Sequence, residues 1–503
     1  MIDLTKHNRA IEGLNKWKAA RGRGTLEYIT GFGKTRVGLL LIRQVLTKYP
    51  LAEILILVPS VAVGAVWVDA INAEDEYLMF TDAEKKQISI KSEATVSIND
   101  LEINYKLLIV DEVHKFTAPE RYKLLSKLTY TSILGLTGTY PTGSNKAKLD
   151  EYCPVVDTIY EQEALTNKWI SQFREYNIPC YLTDEDKERY EKFSIPIRET
   201  LDIFKNVHKK FRRTDNTFMF DSDYSLINAC KSGVNTVDQL GKPLYISATD
   251  IRYTTALFMD WSLSLDLSSD YGKSRNDNWH PDNIKVKAFI FADFVSKRNE
   301  ILINNQIKAD KVVELVKLFP NKTICFNEST FLADTITDNL NKAFDRPIAT
   351  VYHTNITSRP LWDKVINDYI RYGSGAKKGE IKMFGKTTLR NIAIDGLRTG
   401  EYTVLLTAKA LDEGLDIPSI EQVITTAGTA NPIQYAQRGG RGKRVDAYNP
   451  NKVTKIFNLY FEDFIGVNGT LVKTRDKQKL INNQRERGSN VIWISDINLI
   501  TED

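Results

Sequence analysis

Between Leu26 and Leu46 the chain reads LEYITGFGKTRVGLLLIRQVL, a short strand that breaks at Gly31 and Gly33 and continues as an apolar helix. A strand that turns through glycines straight into a helix belongs in an open α/β sheet. The glycines let backbone N–H groups turn onto an anion, and the helix N-terminus adds its positive end. In that setting Lys34 is placed to reach the β/γ-phosphates of a nucleotide, and Thr35 to offer its hydroxyl to Mg²⁺. The first glycine of the longer GxxxxGK[ST] form would fall at Glu27 or Tyr28 and is absent, so the segment alone also reads as a structural glycine turn.

The next apolar runs decide between these readings. ILILVP (Ile54–Pro59) and LLIVDEVH (Leu107–His114) are continuous apolar stretches of the kind buried in a parallel sheet. The second ends in Asp111 and Glu112, and carboxylates at a strand's carboxyl end face the same crevice as a phosphate loop. Asp111 is placed to hold Mg²⁺ through water, and Glu112 to orient and deprotonate an attacking water. A third run, SILGLTGT, ends in Thr137 and Thr139, small hydroxyl residues able to link Glu112 and His114 to a neighbouring domain, though threonines also end strands for structural reasons.

Alternation of strand and helix resumes after residue 300. KADKVVELVKLF reads as a helix, NKTICFNES as a buried strand and FLADTITDNLNKAF as a helix; ATVYHTN (349–355) is a strand with His353 at its end. Residues 402–427 read as strand, charged loop and strand. Then comes YAQRGGRGKR, Tyr435–Arg444, in which Arg438 and Arg441 stand three apart on a helical segment, so that both guanidinium groups can face one phosphate. Foldable elements surround this RGGR stretch, which argues against a flexible RNA-binding tail.

With 503 residues, 42% of them hydrophobic, the chain can form two or three cored domains. A formal charge of +4 identifies no polyanion ligand but permits a basic groove. Cys153, Cys180, Cys230 and Cys325 show no paired spacing and read as thiols in a reducing compartment rather than a metal or disulfide site. No apolar leader and no apolar run approaching ~20 residues is present, so no membrane is expected, and the expected compartment is the cytoplasm.

The middle of the chain says least. Thr183 followed by Glu185 and Asp186 reads as a helix cap with acids in the first turn. FKNVHKKFRRTDNTFMF sets Lys209, Lys210, Arg212 and Arg213 beside aromatic rings, a composition that can grip a nucleic-acid strand and that also fits a solvated helix face. RYGSGAKKG, within residues 364–387, reads as an exposed loop of unassigned purpose.

TGFGKT, DEVH, LTGT and the Q-R-x-G-R-x-x-R pattern of Gln437, Arg438, Arg441 and Arg444 follow one another in an order that resembles motifs I, II, III and VI of the superfamily 2 DExH-type helicases and translocases. The group includes XPB, UvsW and the motors of restriction enzymes. The resemblance implies an α/β fold of two tandem RecA-like domains with parallel sheets, a nucleotide-holding one at 1–160 and an arginine-supplying one at 301–503. A mainly helical or mixed insert at 161–300, able to contact nucleic acid, would separate them.

It further implies ATP and Mg²⁺ as cofactors, with Gln437, Arg438 and Arg441 acting on the γ-phosphate. Gly414 and Asp416 match motif V on the nucleotide side, and Thr407 is a candidate nucleic-acid contact. Asn8 takes the place of an adenine-binding glutamine, keeping the amide but losing one methylene of reach. Trp67 matches a family tryptophan and reads as helix packing. The implied activity is ATP-dependent unwinding, branch migration or remodelling of nucleic acid, DNA before RNA, beside replication, recombination or repair proteins. An RNA helicase and an ATP-gated remodelling protein without strand separation remain alternatives. A small motor is also compatible with a phage source, in which case the compartment is the host cytoplasm.

Overall fold

The structure is a computed structural model that describes residues 3–73, 78–205, 222–237, 243–246, 281–363, 368–375, 377–408, 420–429, 431–446, 449–487 and 491–500. After helix α1 (Leu4–Ala19), the first sheet takes β1 (Arg23–Tyr28), β2 (Ile54–Val58), β3 (Ile88–Ser92), β4 (Asn104–Asp111), β5 (Thr129–Thr137) and β6 (Val155–Ile159). Their order is β3-β2-β4-β5-β1-β6 and every pairing is parallel. All five side chains of β2 are buried, as its unbroken apolar run predicts. Each such burial stabilises the fold by roughly 1.5–3 kcal/mol.

Helices α2 (Lys34–Lys48) and α3 (Val61–Asn72) cover this sheet, and α2 turns Val37, Leu39, Leu41 and Ile42 inward. At Gly38 a Cβ would lie 2.5 Å from the Trp67 ring, so glycine is what admits the indole between the two helices. Because β4, β5 and β1 are neighbours, the loops after Asp111, Thr137 and Tyr28 emerge side by side at one edge of the sheet.

Strand β7 (Gln172–Cys180) leaves the first sheet behind and runs beside a strand nearly 300 residues later. The second sheet joins it to β8 (Thr323–Asn327), β9 (Ala349–His353), β10 (Val404–Ala408), β11 (Gln422–Thr425), β12 (Val453–Phe461) and β13 (Ile492–Trp493). Its order is β9-β10-β8-β11-β12-β7-β13, again parallel throughout. The two parallel cores are tandem RecA-like domains joined by a helical insert.

The chain divides into two compact units, one of residues 1–180, 306–461 and 475–503, the other of 181–305 and 462–474. The first holds both sheets. In the second, long helices at Asp184–Phe204 and Pro281–Ile303 pack together with a shorter one at Asp223–Ser232. Thr183 caps the first of them as its sequence predicts, accepting from the Asp186 N–H at 3.1 Å. Lys209, Lys210, Arg212 and Arg213 lie outside the described residues, as do Gly414 and Asp416.

The described residues of RYGSGAKKG are bends and turns and largely exposed, as a loop is expected to be. They cap an irregular antiparallel hairpin, with Arg371 bridged to Ile381, the Tyr372 N–H donating to the Glu380 carbonyl and the Lys382 N–H to the Ile370 carbonyl.

Candidate nucleotide site

Gly31 and Gly33 both take left-handed backbone angles, φ +97° and +96°, which L side chains rarely adopt. A Cβ on Gly33 would meet nothing, so its requirement is conformational rather than steric. Gly33 starts α2, and no side chain caps that helix end. Its first N–H groups are thus turned into the loop where an anion would sit. Lys34 reaches over the loop, its Nζ 3.5 Å from the Tyr28 carbonyl and 4.0 Å from Glu112 Oε1.

Asp111 is buried at the end of β4 and accepts two hydrogen bonds, from Trp67 Nε1 at 2.8 Å and from the Glu112 N–H at 3.0 Å. Burial, and then the neighbouring Glu112 carboxylate, raise its pKa above the ordinary value, against the pull of Trp67 and Lys34. Glu112 itself sits at φ +48°, an uncommon left-handed angle for a side chain of this size. Its Oε2 is buried without a hydrogen bond, although His114 Nδ1 lies 3.4 Å away. Burial pushes the His114 imidazole down to about 4, so it is neutral at pH 7 and shares a 2.9 Å hydrogen bond with Thr137 Oγ1. Thr137 Oγ1 donates in turn to the Thr139 carbonyl at 2.9 Å. The link between the acidic strand end and the threonine strand end is therefore in place.

Trp67 packs as its sequence position predicts, but its N–H also orients a carboxylate. Trp67→Phe keeps most of the packing and removes that bond. Outer-shell partners of metal-binding carboxylates are worth roughly 10-fold or more in metal affinity. The Mg²⁺ concentration for half-maximal ATP turnover should therefore rise about tenfold, with turnover recovering at saturating Mg²⁺. An unchanged Mg²⁺ titration would leave Trp67 a packing residue alone.

The second sheet contributes helix α10 (Pro432–Gly440), begun by Asn431, whose side chain accepts from the Ile433 N–H at 3.0 Å. A buried polar network bolts this helix down. The Tyr435 hydroxyl donates to Glu175 on β7, Asn458 Nδ2 donates to Glu175 at 2.8 Å, and Gln484 Nε2 donates to the Tyr435 hydroxyl at 3.0 Å. The far end of α10 comes against the phosphate loop. A Cβ on Gly440 would lie 2.7 Å from Thr30, and one on Gly138 would lie 2.9 Å from the Thr30 hydroxyl. Beyond α10, Lys443 pairs with Glu161 at 2.5 Å, and the Ser171 N–H donates to the Lys443 carbonyl at 2.8 Å.

This approach closes a cavity of about 560 Å³ on which Lys34, Thr35, Asp111 and Glu112 meet Gln437 and Arg441. Arg438 behaves differently from Arg441. Its side chain is buried, lies over the Phe326 ring and donates to Glu328 at 3.0 Å, so it is not part of the cavity wall. Three positions along α10 turn the two arginines about 60° apart, and a carboxylate at the end of β8 captures one of them.

A smaller cavity of about 270 Å³ adjoins the first and shares Lys6, Gly33 and Arg36 with it. Lys6 bonds the Gly31 and Trp169 carbonyls at 3.3 Å and lies over Phe32; burial pushes its ammonium down to about 8. Helix α1 is held here by Asp157, which receives Arg9 at 2.5 Å, Lys16 at 2.7 Å and the Tyr28 hydroxyl at 2.7 Å. Asn8, on the same turn as Lys6, is exposed and lines neither cavity. Lys6, Arg36 and Arg444 are wall residues that sequence reasoning did not single out as site residues; only Arg444 carried a signal, as the last arginine of its motif.

Elsewhere the candidates are internal. His353 is buried, with Nε2 2.9 Å from Asp334 and Nδ1 accepting from the Asn355 N–H. Thr407 is fully buried in β10. Among the described residues there is no cluster of three or more His, Cys, Asp or Glu suited to a metal, and no helix long and apolar enough to cross a membrane.

Residues 5–142 match the family described as type III restriction enzyme, res subunit, and residues 307–446 match the helicase conserved C-terminal domain. The chain is 24% identical over 443 residues to the DNA 3'-5' translocase XPB2 of Sulfurisphaera tokodaii, covering 86% of this chain and 76% of that protein. It is 23% identical over 493 residues to a Methanocaldococcus jannaschii protein provisionally named as an ATP-dependent RNA helicase, spanning 90% of this chain but only 58% of that relative. In fold it is similar to S. cerevisiae Dbp5 bound to RNA and ADP BeF3, with a TM-score of 0.50 and 12% identity over 97% of this chain and 89% of that one.

Proposed function

Because the chain belongs to the superfamily 2 helicases and translocases, related to the restriction-enzyme Res and XPB-type motors, we propose that it uses ATP hydrolysis to translocate on or remodel DNA. ATP-dependent helicase or translocase activity on nucleic acid is the generic property of this superfamily. The choice of DNA is supported by the relative named as a DNA translocase, whose length the chain largely spans.

The observation that carries the mechanism is the wall of the larger cavity, where Lys34, Asp111 and Glu112 from one sheet face Gln437 and Arg441 from the other. Lys34 and the first N–H groups of α2 bind the phosphates. Glu112, with a buried oxygen free of hydrogen bonds, takes the proton of the attacking water. Arg441 neutralises charge building on the transferred phosphoryl group. One buried carboxylate, Asp111, and one hydroxyl, Thr35, fit Mg²⁺, which keeps several water and phosphate ligands and needs few from protein. When bound, that ion would supply neutralisation of the charge on the transferred phosphoryl group. The His114–Thr137 bond connects Glu112's surroundings to β5, a route by which closure of the second domain can be sensed.

ATP turnover measured with no polymer, single-stranded DNA, duplex DNA, forked DNA and RNA tests the reading. DNA should stimulate more than RNA, and the stimulation should fall with added salt. Stimulation by RNA alone would make the protein an RNA helicase, the reading favoured by the name of the second relative. Equal turnover in all five mixtures would remove nucleic acid from the mechanism.

A further inference from the structure

The hairpin residues 368–375 and 377–384 have no part in the nucleotide site, yet their construction is that of a contact surface. The tip of the hairpin is open: Cβ atoms built on Gly373, Gly375 and Gly379 would meet nothing within 4 Å. Its shape is nonetheless fixed. Arg371 Nη1 donates to the Gly379 carbonyl at 3.0 Å, and its guanidinium holds Asp368 at 3.2 Å. Four cations (Arg371, Lys377, Lys378, Lys382) stand against two carboxylates (Asp368, Glu380), one of them already taken by Arg371. Lys377 and Lys378 at the turn are exposed.

Arg371 stands opposite Ile381, while Tyr369 pairs with Trp362 and Met383 with Pro360 on the preceding strand segments. Tyr369, Arg371, Ile381 and Met383 are all exposed, with Tyr369 38% and Met383 49% accessible. An aromatic ring and flexible apolar side chains interleaved with cations are what single-stranded nucleic acid binds, through phosphates and base faces together. The root of the hairpin agrees. It returns into the helix Lys386–Thr399, where Arg390 donates to the carbonyl of His353, at the carboxyl end of β9, at 3.0 and 2.8 Å. That strand end lies beside Thr407 of β10, at the edge of a parallel sheet where ligands bind.

We infer that the described hairpin residues, 368–375 and 377–384, are a nucleic-acid contact, with Lys377, Lys378 and Lys382 on phosphates and the exposed Tyr369 ring against bases. The inference rests on the nucleic-acid reading above, and its test separates the two. The triple variant Lys377→Ala/Lys378→Ala/Lys382→Ala should keep polymer-free ATP turnover within twofold, because none of these residues lines the nucleotide cavity. The dependence of log binding constant on log salt should become shallower by about 2 for single-stranded DNA, at ~0.7 for each phosphate no longer neutralised. Arginine at the same three positions should restore the slope, which a folding defect would not allow. An unchanged slope in the alanine variant, beside steep salt dependence in the unmodified protein, overturns the hairpin assignment alone. Absence of salt-dependent binding in the unmodified protein overturns the nucleic-acid reading itself.

Discussion

Replacing Glu112 with glutamine should lower steady-state ATP turnover by two to four orders of magnitude, the range typical for losing a positioned proton acceptor (~10²–10⁴-fold), while ATP still binds. The substitution is nearly isosteric and leaves the Asp111 carboxylate, its bonds from Trp67 and the Glu112 N–H, and the loop at Gly31–Lys34 untouched. Among the described residues, what it removes is the one negative charge on the cavity wall besides Asp111. Phosphate release and equilibrium binding of a fluorescent ATP analogue give the two halves of the result. Near-normal phosphate release from Glu112→Gln would mean that the water is activated elsewhere. Lys34→Ala differs in kind, since it should weaken nucleotide binding as well as turnover.

Arg441→Ala should slow single-turnover hydrolysis on the order of 10³-fold with saturating ATP and forked DNA, as expected when a cation reaching the transferred phosphoryl group is removed. The residue is buried at the end of α10 and shares the cavity wall with Lys34. A surface arginine would change the rate little. A rate within about twofold of the unmodified protein, against ~1.4 kcal/mol for each factor of ten, would remove Arg441 from the transition state. The network of Tyr435, Glu175 and Asn458 gives the prediction its geometry, because it holds α10 against the sheet whether or not the guanidinium is present.

The parts legible in the sequence were those in which a physical requirement falls on adjacent residues. Glycine angles at 31 and 33, acids at the end of β4 and an unbroken apolar β2 are all local, and so was the cap at Thr183. What escaped notice depends on residues far apart in the chain. Trp67 reaches Asp111 across 44 positions, and Glu328 captures Arg438 across 110. No pattern around either the tryptophan or the glutamate announces the partner. At α1 the resemblance pointed to Asn8, whereas the helix rotation brings Lys6 and His7 to the cavity walls. In the hairpin, the Arg371–Ile381 bridge joins residues on either side of a glycine- and lysine-rich turn that by itself reads only as loop.

The place of β7 in the second sheet has a consequence for how the molecule is made. Its principal partner, β12, begins at Val453, so 272 residues (181–452) must be synthesised before the pairing of Gln172–Cys180 with Val453–Phe461 can form. At ~5–20 residues per second on the ribosome, that is a wait of roughly 15–50 s. Through it β7 carries Tyr176, Ile178 and Cys180, apolar groups destined for burial, with an unpaired edge. The first sheet can close within its own 160 residues, and in the second β8, β10 and β11 can pair once residue 425 is made, but β7 has no partner until the chain is nearly finished. Slowed elongation after residue 180 therefore prolongs exposure of this one strand, and a chaperone that recognises short apolar strands would have its longest opportunity there.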